Sequence, residues 1–172
     1  MIKVEVGNKE YELLNKWEEI NLSLYSEIME IFKLDETSYI NKTIKVINIL
    51  SGISIKNIMK MNIADFNKIQ DELKFITTEI DGIDIDMITI SGEDYYIKKD
   101  FNKLTVGESI SLEVIDKDNL PMMLTVFLRK KVDGKLEDFD TDFVEEREEI
   151  FKNIIITDVY NMFKSFINGE RV

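Results

Sequence analysis

Apolar and polar residues alternate at the start of the chain. Ile2, Val4 and Val6 fall on one side, Lys3 and Glu5 on the other. Gly7-Asn8 offers a two-residue turn, and Tyr11 and Leu13 resume the alternation, so residues 1–13 are expected to form a β-hairpin. The pattern returns in ITISGEDYYI, residues 88–97. Aligned without gaps, Val4 matches Ile88, Val6 matches Ile90, Tyr11 matches Tyr95 and Leu13 matches Ile97, while the turn glycine moves one place, from Gly7 to Gly92. Duplication and the common look of hairpins this short both account for the likeness. Either way, each hairpin has edge strands that need pairing or cover.

Between the hairpins the period becomes helical. Asn21 is placed to cap a helix carrying Leu24, Tyr25, Ile28, Ile31 and Phe32 on one side. A second helix is expected from about Thr37 to Leu50, with Ile40, Ile44, Ile47 and Leu50 as its apolar residues and Gly52 just past its end. Ser54 would cap a short helix through Met61. Asn62 would cap another, with Phe66, Ile69, Leu73 and Phe75-Ile76 inward. Asp81-Gly82 has turn character.

The stretch LTVGESISLE, residues 104–113, admits two readings. Even positions carry Val106, Ile110 and Leu112, as a strand would place them. Thr105 and Glu108, however, have the spacing of a capping box, and Val106, Ile110 and Val114 then share a helix face. A strand would have to carry Gly107 in its interior, so the helix is preferred. In NLPMMLTVFLRKK, Asn119 reads as a cap and Pro121 sits near a helix start, where its missing N–H is harmless. A helix is expected over 120–130. Met122, Met123 and Leu124 cannot all face one side of it, which leaves one exposed or against a partner. The last third is also helical, with Phe143, Ile150, Phe151 and Ile154 along one side of DFVEEREEIFKNI. Thr157 would cap a final helix bearing Val159, Tyr160, Phe163, Phe166 and Ile167, ended by Gly169. The expected fold class is α+β, a helix-dominated single domain over 1–172. Its parts are the hairpin at 1–13, a helical part at 21–76, the hairpin at 88–97 and a helical part at 104–168. Trp17 is expected to be a core anchor.

Composition narrows the chemistry. The chain has 172 residues and a hydrophobic fraction of 44%, enough for a core. It has no cysteine and no histidine. That removes disulfides, thiolate ligands, the commonest metal ligand and the usual general base near neutral pH. The net charge of −12 opposes a broad phosphate-binding surface. The beginning of the sequence does not read as a signal peptide, and no window offers the ~20 apolar residues of a membrane span.

The sharpest metal candidate is DFDTDFVEEREE. Asp138, Asp140, Asp142 and Glu149 match positions of a calcium loop, but Phe143 replaces the turn glycine and Glu145 the apolar position. An acidic linker leading into a helix, with negative charge at its N-terminus, accounts for the same residues. Asp84 and Asp86 lie close in sequence with nothing to set their pKa values apart. The glycines form no phosphate loop, and Ser51, Ser54, Ser109 and Ser111 have no histidine to activate them. Arg129-Lys130-Lys131 is the one dense basic cluster, expected to complement the dipole at the end of the 120–130 helix. No catalytic, cofactor-binding or metal residue is assigned, and no cofactor is expected.

The order of segments resembles that of small proteins of tailed bacteriophages, particularly the crAss-like group. The likeness is carried by INILSGISIKNIMKMNIADFNKIQDELKFI, YYIKKDFNKLTVGESISLE, LPMMLTVFLRKK and EEREEIFKNIIITDVYNMF, and covers most of the chain from Ile47 onward. Such proteins include subunits stacked in rings between portal and tail. They also include tail assembly chaperones, which bind the tape-measure protein and stay out of the mature virion. The resemblance implies a non-enzymatic virion structural protein, a ring subunit of the neck or tail, with the chaperone as the alternative. The implied partners are further copies of the chain and other portal, neck and tail proteins, with no sequence-specific nucleic acid and no membrane. The implied location is the virion, and the host cytoplasm during assembly. An acidic wall around a DNA channel would repel the duplex. An enzyme acting through carboxylates would need an acidic cluster in a pocket, which the sequence does not display.

Overall fold

The computed structural model describes residues 1–98 and 103–167. The fold is α+β and helix-dominated, as the periodicity predicts. In chain order the strands are β1 (Ile2–Val6), β2 (Lys9–Leu13), β3 (Met87–Ile90), β4 (Glu93–Ile97), β5 (Leu128–Arg129), β6 (Lys131–Val132) and β7 (Lys135–Leu136). The α-helices are α1 (Leu22–Lys33), α2 (Tyr39–Ser51), α3 (Ile55–Ile58), α4 (Ile63–Glu72), α5 (Val106–Val114), α6 (Leu120–Phe127), α7 (Val144–Phe151) and α8 (Ile156–Ile167). The chain divides into two compact units. Residues 1–20 and 24–80 form the first; residues 21–23 and those from Asp81 onward form the second.

In unit 1, β1 and β2 pair antiparallel with Val4 opposite Tyr11 and Ile2 opposite Leu13. Gly7 has a φ of 64°, a left-handed conformation that costs glycine little. Ser38, Ser54 and Asn62 cap α2, α3 and α4 by accepting from backbone N–H groups three residues on, and Gly52 ends α2 with a φ of 68°. The core gathers Leu13, Trp17, Ile28, Ile47, Leu50, Ile53, Phe66 and Ile69. Trp17 is the anchor expected of it: Phe75 meets its ring edge-on at 5.1 Å, and its indole N–H donates to the Thr78 carbonyl at 3.4 Å. Two helices are rotated from expectation. On α2 the buried residues are Thr43, Val46, Ile47 and Leu50, with Ile40 exposed. On α1, Phe32 is exposed beyond the buried Ile28 and Ile31. In each case the core selects a stripe slightly off the one that apolar identity alone marks.

In unit 2, β4 is the middle strand of an antiparallel sheet, between β3 and β5. Ile88 faces Tyr95 as Val4 faces Tyr11 in the first hairpin, so the gapless alignment is also an alignment of register. The two-residue turns coincide as well. At Ser91-Gly92 both residues have positive φ, 54° and 82°, as a type I′ hairpin turn requires. The helix expected over 120–130 stops at Phe127, because Leu128 and Arg129 pair with Ile97 and Tyr96 as β5. This β5 covers the free edge of β4. A third hairpin, β6–β7, turns at Asp133-Gly134 with φ of 51° and 78°. Its Asp-Gly pair is a hairpin signal that the helical reading of this region passed over.

The core of unit 2 holds Tyr95, Met123, Leu124, Phe127, Leu128, Phe151, Val159 and Phe163. Phe151 meets the Tyr95 ring edge-on at 5.1 Å, a geometry that adds to simple burial. Nearly all of α6 is buried, with Met122 the least covered of its apolar run. The final helix begins at Ile156, one residue before the expected cap; Thr157 lies inside it and is buried. Phe143 is exposed, whereas Phe151 and Ile154 are buried. The side chains of Phe166 and Ile167, and Gly169, lie outside the described residues. No helix among the described residues is long and apolar enough to cross a membrane.

Candidate functional site

Three features stand apart from ordinary packing. The first is a cluster of internal charges in unit 2. Thr105 caps α5 by accepting from the Glu108 N–H at 3.2 Å, and the Glu108 carboxylate accepts in return from the Thr105 N–H at 2.6 Å. The expected capping box is therefore present. Glu108 does more than cap. It is 2% exposed, and its carboxylate also receives Lys98 Nζ at 2.6 Å and Arg129 Nη2 at 3.1 Å. Burial pushes this carboxyl up, but the hydrogen bonds from Lys98 and Thr105 outweigh it and hold the group below the ordinary carboxylate range.

Arg129 is 1% exposed. Its guanidinium donates to the carbonyls of Thr125 at 2.5 Å and Leu128 at 2.9 Å, and lies 5.0 Å from the Phe139 ring centre. Burial lowers its pKa, and Glu108 opposes that shift. Beside it, Glu137 accepts from Arg147 Nη1 at 2.6 Å and from the Lys130 N–H at 2.8 Å. Burial raises the Glu137 carboxyl, Arg147 and Lys130 lower it, and the net shift is downward. Lys130 pairs with Glu93, and Lys131 stands 3.7 Å from the Tyr96 ring centre. The basic triplet thus contributes to β5 and β6 rather than to a helix terminus, and of its three residues Arg129 alone is paired in the interior. Glu108, Lys98, Arg129, Glu137 and Arg147 are each matched by opposite charge, which is the arrangement of a structural network.

The second feature is a groove in unit 1. It lies between the first hairpin and the α3–α4 segment and measures about 1080 Å³. Its apolar lining comes from Ile2, Val4, Val6, Tyr11, Met61 and Ile69. The hairpin's apolar face is buried at Leu13 but only half-covered at Ile2, Val4, Val6 and Tyr11. Around it stand four lysines (Lys3, Lys9, Lys60, Lys68) and three carboxylates (Glu5, Asp65, Glu72). The local balance is +1 in a chain whose total is −12.

The third feature is the outer face of α5. Val106, Ile110 and Val114 do share one side, as their spacing predicts, and that side is 77%, 55% and 78% exposed. The helix turns its apolar stripe outward because its inner face is claimed by Glu108, drawn to Arg129 and Lys98.

The sequence candidates are not brought together into a centre. Asp140 caps the 3-10 turn Thr141–Phe143 by accepting from the Asp142 N–H at 2.9 Å, and α7 begins at Val144 inside the would-be calcium loop. Glu149 pairs with Lys152. Among the described residues no group of three acidic side chains is arranged to hold a metal ion. Asp84 accepts from Asn161 Nδ2 at 3.1 Å. Ser51 donates to the Ile47 carbonyl, and Ser54 caps α3. Sequence reasoning named the hairpin and the α4 helix but not the space between them, since half-coverage of Val4 and Tyr11 is a tertiary property. No family model, curated protein or solved structure matches the chain.

Proposed function

We propose that the chain is a non-enzymatic subunit of a tailed-phage virion, forming part of a ring in the neck or tail and working through protein–protein contact alone. The observation that carries this reading is the coexistence of two unlike apolar surfaces, the half-open groove of unit 1 and the outward stripe of α5. Unlike surfaces make heterologous contacts, and heterologous contacts that close make rings. The internal charges described in unit 2 support the same reading, because they are paired with one another. The sequence resemblance from Ile47 onward supplies the phage context.

The groove also favours a second reading, a tail assembly chaperone. An apolar trough with a charged rim is the form that receives one amphipathic helix, and a tape-measure segment would supply it. Protein identification on purified virions of the encoding phage separates the two. Many copies per particle are expected of a ring subunit. Complete absence from the particle, with abundance in infected cells, would reject the ring and favour the chaperone.

A further inference from the structure

The likeness of the two hairpins extends well beyond them. Continued without a gap, the alignment that sets Tyr11 against Tyr95 sets Trp17 against Phe101, Ile20 against Leu104 and Ile31 against Ile115. It also sets Leu22 against Val106, and these are the first residues of α1 and α5. Ile31 and Ile115 are both buried. The backbone repeats as well. Leu14, just after β2, donates to the Leu50 carbonyl near the end of α2 at 3.1 Å. Its match Lys98, just after β4, donates to the Phe127 carbonyl at the end of α6 at 2.9 Å. Each unit then makes a short helical turn, α3 or Thr141–Phe143, followed by a third helix, α4 or α7. Phe151 of α7 meets the hairpin tyrosine Tyr95, and Ile69 of α4 lines the groove with Tyr11. Matched helix starts, matched backbone bonds and matched element order mark two copies of one folding unit, the second enlarged by β5, β6 and β7.

One matched segment is covered in the first copy and bare in the second. Leu22 is 0% exposed. The N–H groups of Leu22 and Ser23 donate to the carbonyls of Ile154 and Lys152, just past α7, at 2.9 and 3.1 Å, and all four residues belong to unit 2. A helix start carries such donors free for a partner. Val106, the match of Leu22, is 77% exposed. Gly107, Ser109 and Ile110 are exposed too, where Ser23, Tyr25 and Ser26 are buried or half-buried. Ile110 is apolar where its match is a serine. The repeat thus shows what covers such a start, namely the chain just past a third helix. In unit 2 that cradle is taken by residues 21–23. Its counterpart in unit 1 is residues 70–73 at the end of α4, where Asp71 and Glu72 are exposed and Phe75 and Ile76, just beyond, are half-buried.

We infer that the start of α5 in one copy docks on the end of α4 in a second copy, reproducing between copies the contact that Leu22 and Ser23 make with Ile154 and Lys152. The inference rests on the ring reading and specifies its interface. Val106 takes the place of Leu22 and Gly107 that of Ser23, while Val106 and Ile110 cover Phe75 and Ile76. The two surfaces are unlike, so each copy has two different neighbours, which is the requirement for a closed ring.

Disulfide trapping tests this in a chain with no cysteine of its own. Gly107→Cys and Asp71→Cys are combined in the full chain, and their matches, Ser23→Cys and Asn153→Cys, form a reference. A Cβ at Gly107 meets Phe139 and the Thr105 hydroxyl no closer than 3.9 Å, and the Asp71 side chain is 66% exposed, so both sites accept a thiol. Circular dichroism confirms folding; should Asp71→Cys disturb α4, Gln70→Cys takes its place. After oxidation, non-reducing electrophoresis should show the reference closed within one chain and the first pair as covalent dimers and longer ladders. Adding Val106→Asp should reduce the ladder about tenfold or more, and Gly107→Cys with Lys60→Cys, which moves the second thiol to the groove, should give none. A reference that fails to close would remove the contact that the inference copies, and overturn it. A closed reference beside a first pair that forms no ladder, closes within one chain, ignores Val106→Asp or is matched by the groove pair would overturn the interface and leave the ring reading standing. Wild type that stays monomeric at every concentration, with neighbouring portal and tail proteins added, would overturn the ring reading and this inference with it.

Discussion

Glu108 and Arg129 meet at 3.1 Å with both side chains almost wholly removed from solvent. The same carboxylate caps α5 and holds Lys98, so a single residue ties the helix start to β4's continuation and to β5. Removing one partner of such a pair strands the other charge in the interior. Arg129→Ala should therefore cost about 3–5 kcal/mol, whereas replacing both residues by methionine should cost far less. Chemical denaturation of the single and double variants checks this. Equal losses in the two would refute it.

Two glycines should respond in opposite directions to alanine. At Gly107 the added methyl would meet Phe139 and the Thr105 hydroxyl at 3.9 Å, an ordinary contact, and helix α5 favours alanine. Gly107→Ala should stabilise by up to about 1 kcal/mol. At Gly82 the methyl would fall 2.7 Å from Asn161 Oδ1 and 3.0 Å from the Asn161 backbone nitrogen. It would also disturb the bond from Asn161 Nδ2 to the Gly82 carbonyl at 2.7 Å. Gly82→Ala should destabilise, and thermal melts of the two variants should move apart. In the same helix, Thr105→Ala should cost about 1 kcal/mol with the fold intact.

Acid should unfold the protein through Glu108 and Glu137. Both carboxyls are held below their ordinary range in the folded state. Their contribution is complete above the unfolded glutamate value and is lost as pH falls through the lower folded values. Asp158, raised by burial, acts in the reverse sense: its contribution is present at low pH and lost as pH rises. Melting temperature should hold from neutrality down to mild acidity and then fall. Glu108→Gln should start from a lower neutral-pH stability and show a shallower acid decline. A decline as steep as wild type would show that Glu108 is not a principal acid-sensitive group.

Assembly should respond to salt. With −12 on each copy, repulsion opposes gathering at low ionic strength and is screened as salt rises. Light scattering should show larger species at higher salt. Deleting residues 1–8 removes β1, one wall of the groove, and should weaken that shift more than it weakens folding. A deletion that associates like wild type would show that β1 is dispensable to the contact.

Local signals were the legible part of this sequence. The caps at Ser54, Asn62, Thr105 and Asn119 lie where their spacing puts them, because a cap is decided within a few residues, whereas Thr157 falls inside its helix. The faces of helices were less legible. Val106, Ile110 and Val114 look like a core stripe, yet Glu108 occupies the inner side because its partners come from Lys98 and Arg129, outside α5. Helix α6 ends early for a similar reason, since Leu128 and Arg129 are claimed by β4. The groove was invisible because it is space left between elements, and residue patterns describe elements.

The first turn of α1 has a consequence for the order of events during synthesis. The N–H groups of Leu22 and Ser23 donate to the carbonyls of Ile154 and Lys152, and Asn21 forms a bridge with Ile155. These donors leave the ribosome well before their acceptors, which lie far further along the chain. Hydrophobic collapse of residues 24–80 can proceed while the acceptors are still missing, but the segment at 21–23 must stay solvated until then. A ribosome stalled before Lys152 would therefore display a chain with this turn unsealed, open to proteases and to chaperones. Sealing of this turn thus waits on the synthesis of Lys152 and Ile154.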